Sequence, residues 1–131
     1  LRRKGKLTEE FVLRMAHQIL DVLWQLHEWE VDDKGDPYFY IYEDLKPENI
    51  IVMRSSARLK LVDFGFAKQI NKTRTRTTCG SPAYTAPEIL LCSHEDEYSK
   101  TGYSYECDIW SLGVLICELV GGFNPSGCHH L

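Results

Sequence analysis

Apolar positions recur at steps of three and four between Thr8 and His27: Phe11, Val12, Met15, Ala16, Ile19, Leu20, Leu23 and Leu26. That period predicts a helix over residues 8–27 whose apolar stripe is buried against a larger core. Thr8 suits the cap, and Leu7 and Val12 have the spacing of a hydrophobic staple. The pattern breaks at Asp32-Asp33-Lys34-Gly35-Asp36-Pro37, which is turn chemistry, and Tyr38 to Ile41 reads as a short extended segment. Two apolar runs, Ile50-Ile51-Val52-Met53 and Leu59-Lys60-Leu61-Val62, flank a polar connection and predict a hairpin over 50–62. Residues 64–84, rich in Thr, Arg, Gly and Pro, predict loop. A second helix is expected over 106–120, with Leu112, Leu115, Ile116 and Leu119 on one face and Ile109, Trp110, Val114 and Val120 widening it. Gly121-Gly122 ends that helix and Pro125 prevents its resumption. The sum is a mainly helical α+β body with a small hairpin and long loops, not a doubly wound sheet or a sandwich.

Composition narrows the class. With 44% hydrophobic and 26% charged residues among 131, the chain suits one globular domain rather than a disordered segment. The most apolar stretch, Ile109 to Val120, is interrupted by Ser111, Gly113 and Glu118, so no membrane partner is expected. The opening Leu1-Arg2-Arg3-Lys4-Gly5 has no apolar segment behind it and no Met, so we expect no signal peptide and a section of a longer chain. A net charge of -4 gives no support to nucleic-acid binding. The acidic groups Asp32, Asp33, Asp36 and Glu95, Asp96, Glu97 read as solvated loops. Five cysteines without a C-x-x-C pair favour the cytoplasm, with the nucleus also open. Cys128-His129-His130 lacks a second ligand pair for a metal.

Candidate chemistry lies between the helices. Asp44-Leu45-Lys46-Pro47-Glu48-Asn49 is followed 14 residues after Asn49 by Asp63-Phe64-Gly65, then by Ala86-Pro87-Glu88 and by Asp108-x-Trp110-Ser111-x-Gly113. In this order and spacing the chain resembles the eukaryotic protein kinases, and the resemblance covers essentially all of it. It implies the C-terminal lobe of a catalytic domain that uses ATP and magnesium ions. Protein Ser/Thr side chains would be the substrates, and an N-terminal lobe in cis the partner. The segments are then a catalytic loop over 42–49, an activation segment over 63–88 and a buried helix over 106–120.

The resemblance assigns roles. Asp44 would orient the substrate hydroxyl, and Lys46, which marks serine/threonine specificity, would reach the γ-phosphate. Asn49 and Asp63 would ligate magnesium. Ile51 resembles the position beneath the adenine, with a plain strand-core residue as the alternative. Phe64 would pack under the loop, and Gly65 would supply backbone freedom where the loop swings. Thr77 is the candidate phosphosite, ahead of Thr75 and Thr78, with Lys68 and Arg76 as basic partners. Ser81 resembles the hydroxyl that touches both Asp44 and Lys46, and Ser81-Pro82-Ala83-Tyr84 would face the substrate. Asp108 would hold the catalytic loop from below, Trp110 would be core, and Glu88 would lack its usual Arg partner. Tyr42, Asp63-Phe64-Gly65-Phe66-Ala67-Lys68 and Cys79-Gly80 favour the cyclic-nucleotide-dependent branch, while Cys79-Gly80-Ser81-Pro82 and Asp108-Ile109-Trp110-Ser111-Leu112-Gly113 look more like the calcium/calmodulin-dependent branch.

Three departures stand out. Glu43 occupies the place where phosphorylation-controlled members carry an Arg that grips the activation-loop phosphate. Its opposite sign predicts that phosphorylation of Thr77 does not activate in the usual way. Residues 28–41 and 91–105 are long for the family and read as surface insertions. The chain also contains no Gly-rich phosphate loop, strand Lys or helix Glu. An isolated fragment is therefore expected to be inactive, and a pseudokinase scaffold or allosteric module is the alternative.

Overall fold

The computed structural model describes residues 7–71, 81–91 and 102–122. Helix α1 spans Glu9–His27. Thr8 caps it, its Oγ1 accepting from the Phe11 N–H at 3.3 Å, and Glu9 and Glu10 complement the positive end of the helix. Val12, Met15, Ala16, Ile19 and Leu23 are buried. Leu20 is 44% exposed although it belongs to the sequence-predicted stripe, so the buried face is narrower than the run of apolar residues.

After α1 the chain forms a hairpin of β1 (Glu30–Val31) and β2 (Pro37–Ile41). Asp32 shapes its turn, with Oδ1 accepting from the N–H groups of Lys34 and Asp36 at 2.9 Å each, and Gly35 takes a φ of 84° that suits glycine. The expanded segment over 28–41 is therefore partly ordered strand. A 3-10 turn over Pro47–Asn49 leads into β3 (Ile50–Val52), which pairs antiparallel with β4 (Leu59–Leu61). Gln18 of α1 ties this second hairpin down by accepting from the Leu59 N–H at 2.9 Å and donating to the Ala57 carbonyl at 3.3 Å.

Strand β5 (Lys68–Ile70) falls inside the stretch expected to be loop. It pairs antiparallel with β2 in the register Phe39↔Ile70, Tyr40↔Gln69, Ile41↔Lys68 and completes a sheet of order β1-β2-β5. Three residues are too few to show a two-residue alternation, and this strand exists only through its partner.

A second 3-10 turn (Pro82–Tyr84) and the short helix α2 (Pro87–Leu91) precede α3, which spans Glu106–Gly121. Gly122 closes α3 in the left-handed conformation, φ 68°, with its N–H donating to the Glu118 carbonyl at 2.8 Å. Cys107, Asp108, Ser111, Leu112 and Leu115 are buried. Trp110 is not core: it is 50% exposed, and Ile109 is 46% exposed. At about 100° per residue, positions 109 and 110 rotate away from the face that carries Asp108, Ser111, Leu112 and Leu115.

Two apolar clusters result. One joins α1, Tyr42, Leu45, the second hairpin, Leu112 and Leu115, and the other joins Phe39, Ile41, Ile70, Ala86, Ile89, Tyr103 and Cys107. Ile41 belongs to one and Tyr42 to the other, so the loop after β2 begins at their seam. Replacing the fully buried Leu115 by Ala is expected to cost about 2–5 kcal/mol through lost contacts and a residual cavity. The check is the shift in the urea unfolding midpoint; a change below about 1 kcal/mol would mean that this cluster relaxes around the gap.

Candidate active site

The loop over 42–49 is held from beneath by one carboxylate. Asp108, 0% exposed on the first turns of α3, accepts from the Tyr42 N–H at 2.9 Å through Oδ2 and from the Glu43 N–H at 2.8 Å through Oδ1. His27, at the end of α1, brings Nε2 to 2.8 Å from Oδ2. Sequence reasoning assigned the backbone grip to Asp108 and missed His27, which sits 81 residues away in the chain and carries no local signal. Tyr42 adds a further tie, its hydroxyl donating to the Val62 carbonyl at 2.5 Å.

On this support Asp44 is 2% exposed and heavily bonded. Its Oδ1 accepts from Ser81 Oγ at 2.8 Å, and its Oδ2 accepts from Lys46 Nζ at 2.7 Å and Asn49 Nδ2 at 2.8 Å. Lys46 Nζ also donates to Ser81 Oγ at 2.9 Å, so Asp44, Lys46 and Ser81 close a ring of charge-assisted bonds. A carboxylate has about four acceptor positions, and three are used here. One remains open among the described residues.

Asn49 is buried and uses only its amide nitrogen, for Asp44 Oδ2 and the Asp44 carbonyl, which leaves Oδ1 as a potential ligand. Its carbonyl accepts from the Val62 N–H at 2.9 Å, which brings the start of Asp63-Phe64-Gly65 beside it. Asp63 is exposed, with φ 61°, and its Oδ1 accepts from the Gly65 N–H at 3.2 Å. Gly65 itself takes no positive φ. A Cβ there would stand 3.1 Å from Asp63 Oδ1, a tight contact that the exposed Asp63 side chain would have to relieve. Phe64 is 47% exposed and meets the Tyr42 ring edge-on at 5.2 Å. Ile51, 51% exposed on β3, is not a strand-core residue.

Other expected residues are placed differently from one another. Pro82 is exposed and Ala83 half-buried, whereas Tyr84 is 8% exposed with its hydroxyl donating to Glu118 Oε2 at 2.6 Å. Glu88 is half-buried and makes no ion pair with another described residue, so it is not a deeply buried lone charge. Thr75, Arg76, Thr77, Thr78, Cys79 and Gly80 lie outside the described residues. Among the described residues there is no cluster of three or more His, Cys, Asp or Glu side chains able to hold a metal, and no helix long and apolar enough to cross a membrane.

Glu43 is buried. Its Oε2 lies 2.7 Å from Lys68 Nζ on β5, and its Oε1 accepts from the Tyr103 hydroxyl at 2.7 Å. Lys68 also donates to the Tyr103 hydroxyl at 3.2 Å. The sequence suggested Lys68 as a phosphate partner and did not single out Tyr103.

The structure thus brings the Asp44 carboxylate, the Lys46 ammonium and the Asn49 amide together, with Asp63 following β4. The protein kinase domain family matches residues 1–130, and this chain belongs to it. It is 38% identical over 125 residues to the cAMP-dependent protein kinase catalytic subunit 3 of Drosophila melanogaster, covering 95% of the chain and 18% of that protein. It is 37% identical over 125 residues to the human cAMP-dependent protein kinase catalytic subunit PRKX, covering 95% and 30%. A stretch of 86 residues, 65% of the chain, is 48% identical to human cGMP-dependent protein kinase 2, of which it covers 10%. The chain thus spans less than a third of these relatives and is related to the cyclic-nucleotide-dependent branch of serine/threonine kinases.

The Tyr42 phenol is pushed up to about 12, first by burial and then by the negative charge of Asp44. The folded protein keeps this proton where the unfolded chain, with an ordinary value of about 10, gives it up. The stabilisation is therefore whole below about pH 10 and is lost between about pH 10 and 12. Urea unfolding across that window should show a falling midpoint, with a shallower fall in Tyr42→Phe; parallel falls would mean that Tyr42 is not responsible.

Proposed function

We propose that the full-length protein containing this chain is a protein serine/threonine kinase and that these residues form the lower half of its active site. The observation that carries this is the ring of Asp44, Lys46 and Ser81, with a single acceptor position left on a buried carboxylate.

Asp44 receives the proton of a substrate Ser or Thr hydroxyl at its remaining acceptor position. The freed oxygen forms a bond to the γ-phosphorus while the bond from that phosphorus to the bridging oxygen of ADP breaks. Lys46 stands beside the attacking oxygen, and its ammonium offsets charge on the transferred group. Ser81 fixes Lys46 and Asp44 relative to each other. Magnesium suits the donor set, because it takes few protein ligands and hard oxygens, here the Asp63 carboxylate and Asn49 Oδ1, and completes its shell with phosphate oxygens. When bound it neutralises phosphate charge. The half-exposed Ile51 supplies apolar surface beside the loop for the adenine. Ser81, Pro82, Ala83 and Tyr84 form the substrate-facing segment, with Pro82 its exposed member, and Thr77 remains the candidate phosphosite. Cytoplasmic or nuclear residence fits the cysteine pattern of the sequence, which has no C-x-x-C pair.

Asp44→Asn in the full-length protein is expected to lower kcat for peptide phosphorylation by about 100- to 10,000-fold while ATP binding persists. Phosphate transfer from labelled ATP and an independent nucleotide-binding titration check this. Wild-type protein no faster than Asp44→Asn would favour a non-catalytic scaffold instead.

A further inference from the structure

Glu43 precedes Asp44 directly and has a φ of 65°, a left-handed backbone that is uncommon for a residue with a side chain. It is held from both ends. Asp108 holds the Glu43 N–H at 2.8 Å, and Lys68 and Tyr103 hold the carboxylate at 2.7 Å each. The Glu43 side chain is 0% exposed and that of Lys68 is 24% exposed, so neither charge is well hydrated and each offsets the other's desolvation. The three residues come from the catalytic loop, from β5 and from the segment before α3. Lys68 is also the backbone partner of Ile41, two residues before Glu43. Backbone pairing and ion pair therefore fasten the same end of β5 to the same stretch of chain.

We infer, on the kinase function proposed above, that Glu43 and Lys68, bridged by Tyr103, are positioning residues. Their internal ion pair sets the backbone that aims Asp44 and holds β5 against the catalytic loop, with a carboxylate of the chain itself supplying the anion for Lys68. The anion belongs to the chain itself, so the geometry of Asp44 needs no added phosphate to form.

The test uses the full-length protein after treatment with a broad-specificity phosphatase, comparing wild type, Glu43→Gln, Lys68→Met, the double variant and Lys68→Arg. Two quantities are read: steady-state kcat and KM for ATP and a Ser-containing peptide, and amide hydrogen exchange at residues 68–70. The treated wild type should keep its kcat within about twofold, and each single variant should lose about tenfold in kcat with KM for ATP nearly unchanged. The double variant should lose no more than the worse single one, and Lys68→Arg should recover most of the rate. Exchange at 68–70 should rise in the single variants while that of α1 stays put. A wild type silenced by phosphatase, losses that multiply in the double variant, or unchanged kcat in the single variants would each overturn the inference. If Glu43→Gln fails to fold, Tyr103→Phe, which removes one hydroxyl, should still lower kcat about threefold, and no loss there would count against it. If wild type proves as inactive as Asp44→Asn, the kinase function fails on its own. Exchange at 68–70 then decides the ion pair's role alone, and unchanged protection in the single variants would overturn it.

Discussion

The buried carboxylate of Asp108 is the contact on which the catalytic segment rests. It accepts two consecutive backbone N–H groups, from Tyr42 and Glu43, and meets His27 at the end of α1. One side chain thereby joins the two long helices and the loop between them. Hydrogen bonds to a charged acceptor contribute about 1.5–3 kcal/mol each, and losing the acceptor would strand two buried donors. The loop is therefore oriented by the helical body and not by its own short sequence.

Above that support, polar groups are satisfied in sequence from the inside outward. Asp108 fixes the backbone, the Glu43–Lys68–Tyr103 group fixes the side of the loop facing β5, and Lys46, Ser81 and Asn49 fix Asp44. Among the described residues, no fully buried side-chain nitrogen or oxygen lacks a hydrogen-bond partner. Such a network tolerates little rearrangement, because each broken bond leaves a desolvated group. A rigid Asp44 with one free acceptor position suits chemistry that depends on placing a hydroxyl accurately.

The positive φ angles follow the same logic. Glu43 and Asp63, both beside the site, adopt 65° and 61°. Glu43 lies at the start of the loop over 42–49 and Asp63 just after β4, and in each case a local hydrogen bond accompanies the angle. Ordinary loop residues in the described chain, apart from Ala57, show no such angles outside glycine.

Local pattern alone determined much of this protein. The three- and four-residue apolar steps specified α1 and α3, the two short runs specified the β3–β4 hairpin, and the ordered motifs from Asp44 to Asp108 specified the family. These features depend on neighbours within a few residues, so one chain read in order contains them. Only the tertiary structure decided the rest. Strand β5 needed β2 to exist; Trp110 turned outward because its neighbours on α3 took the core face; His27 and Tyr103 acquired roles across 81 and 60 residues of chain. Glu43 shows the limit most clearly. Its sequence position announced a reversed charge, but whether that charge repels a phosphate or neutralises a lysine depends on which side chain burial brings within 2.7 Å. Electrostatics acts through distance and desolvation, and neither is written in the order of residues.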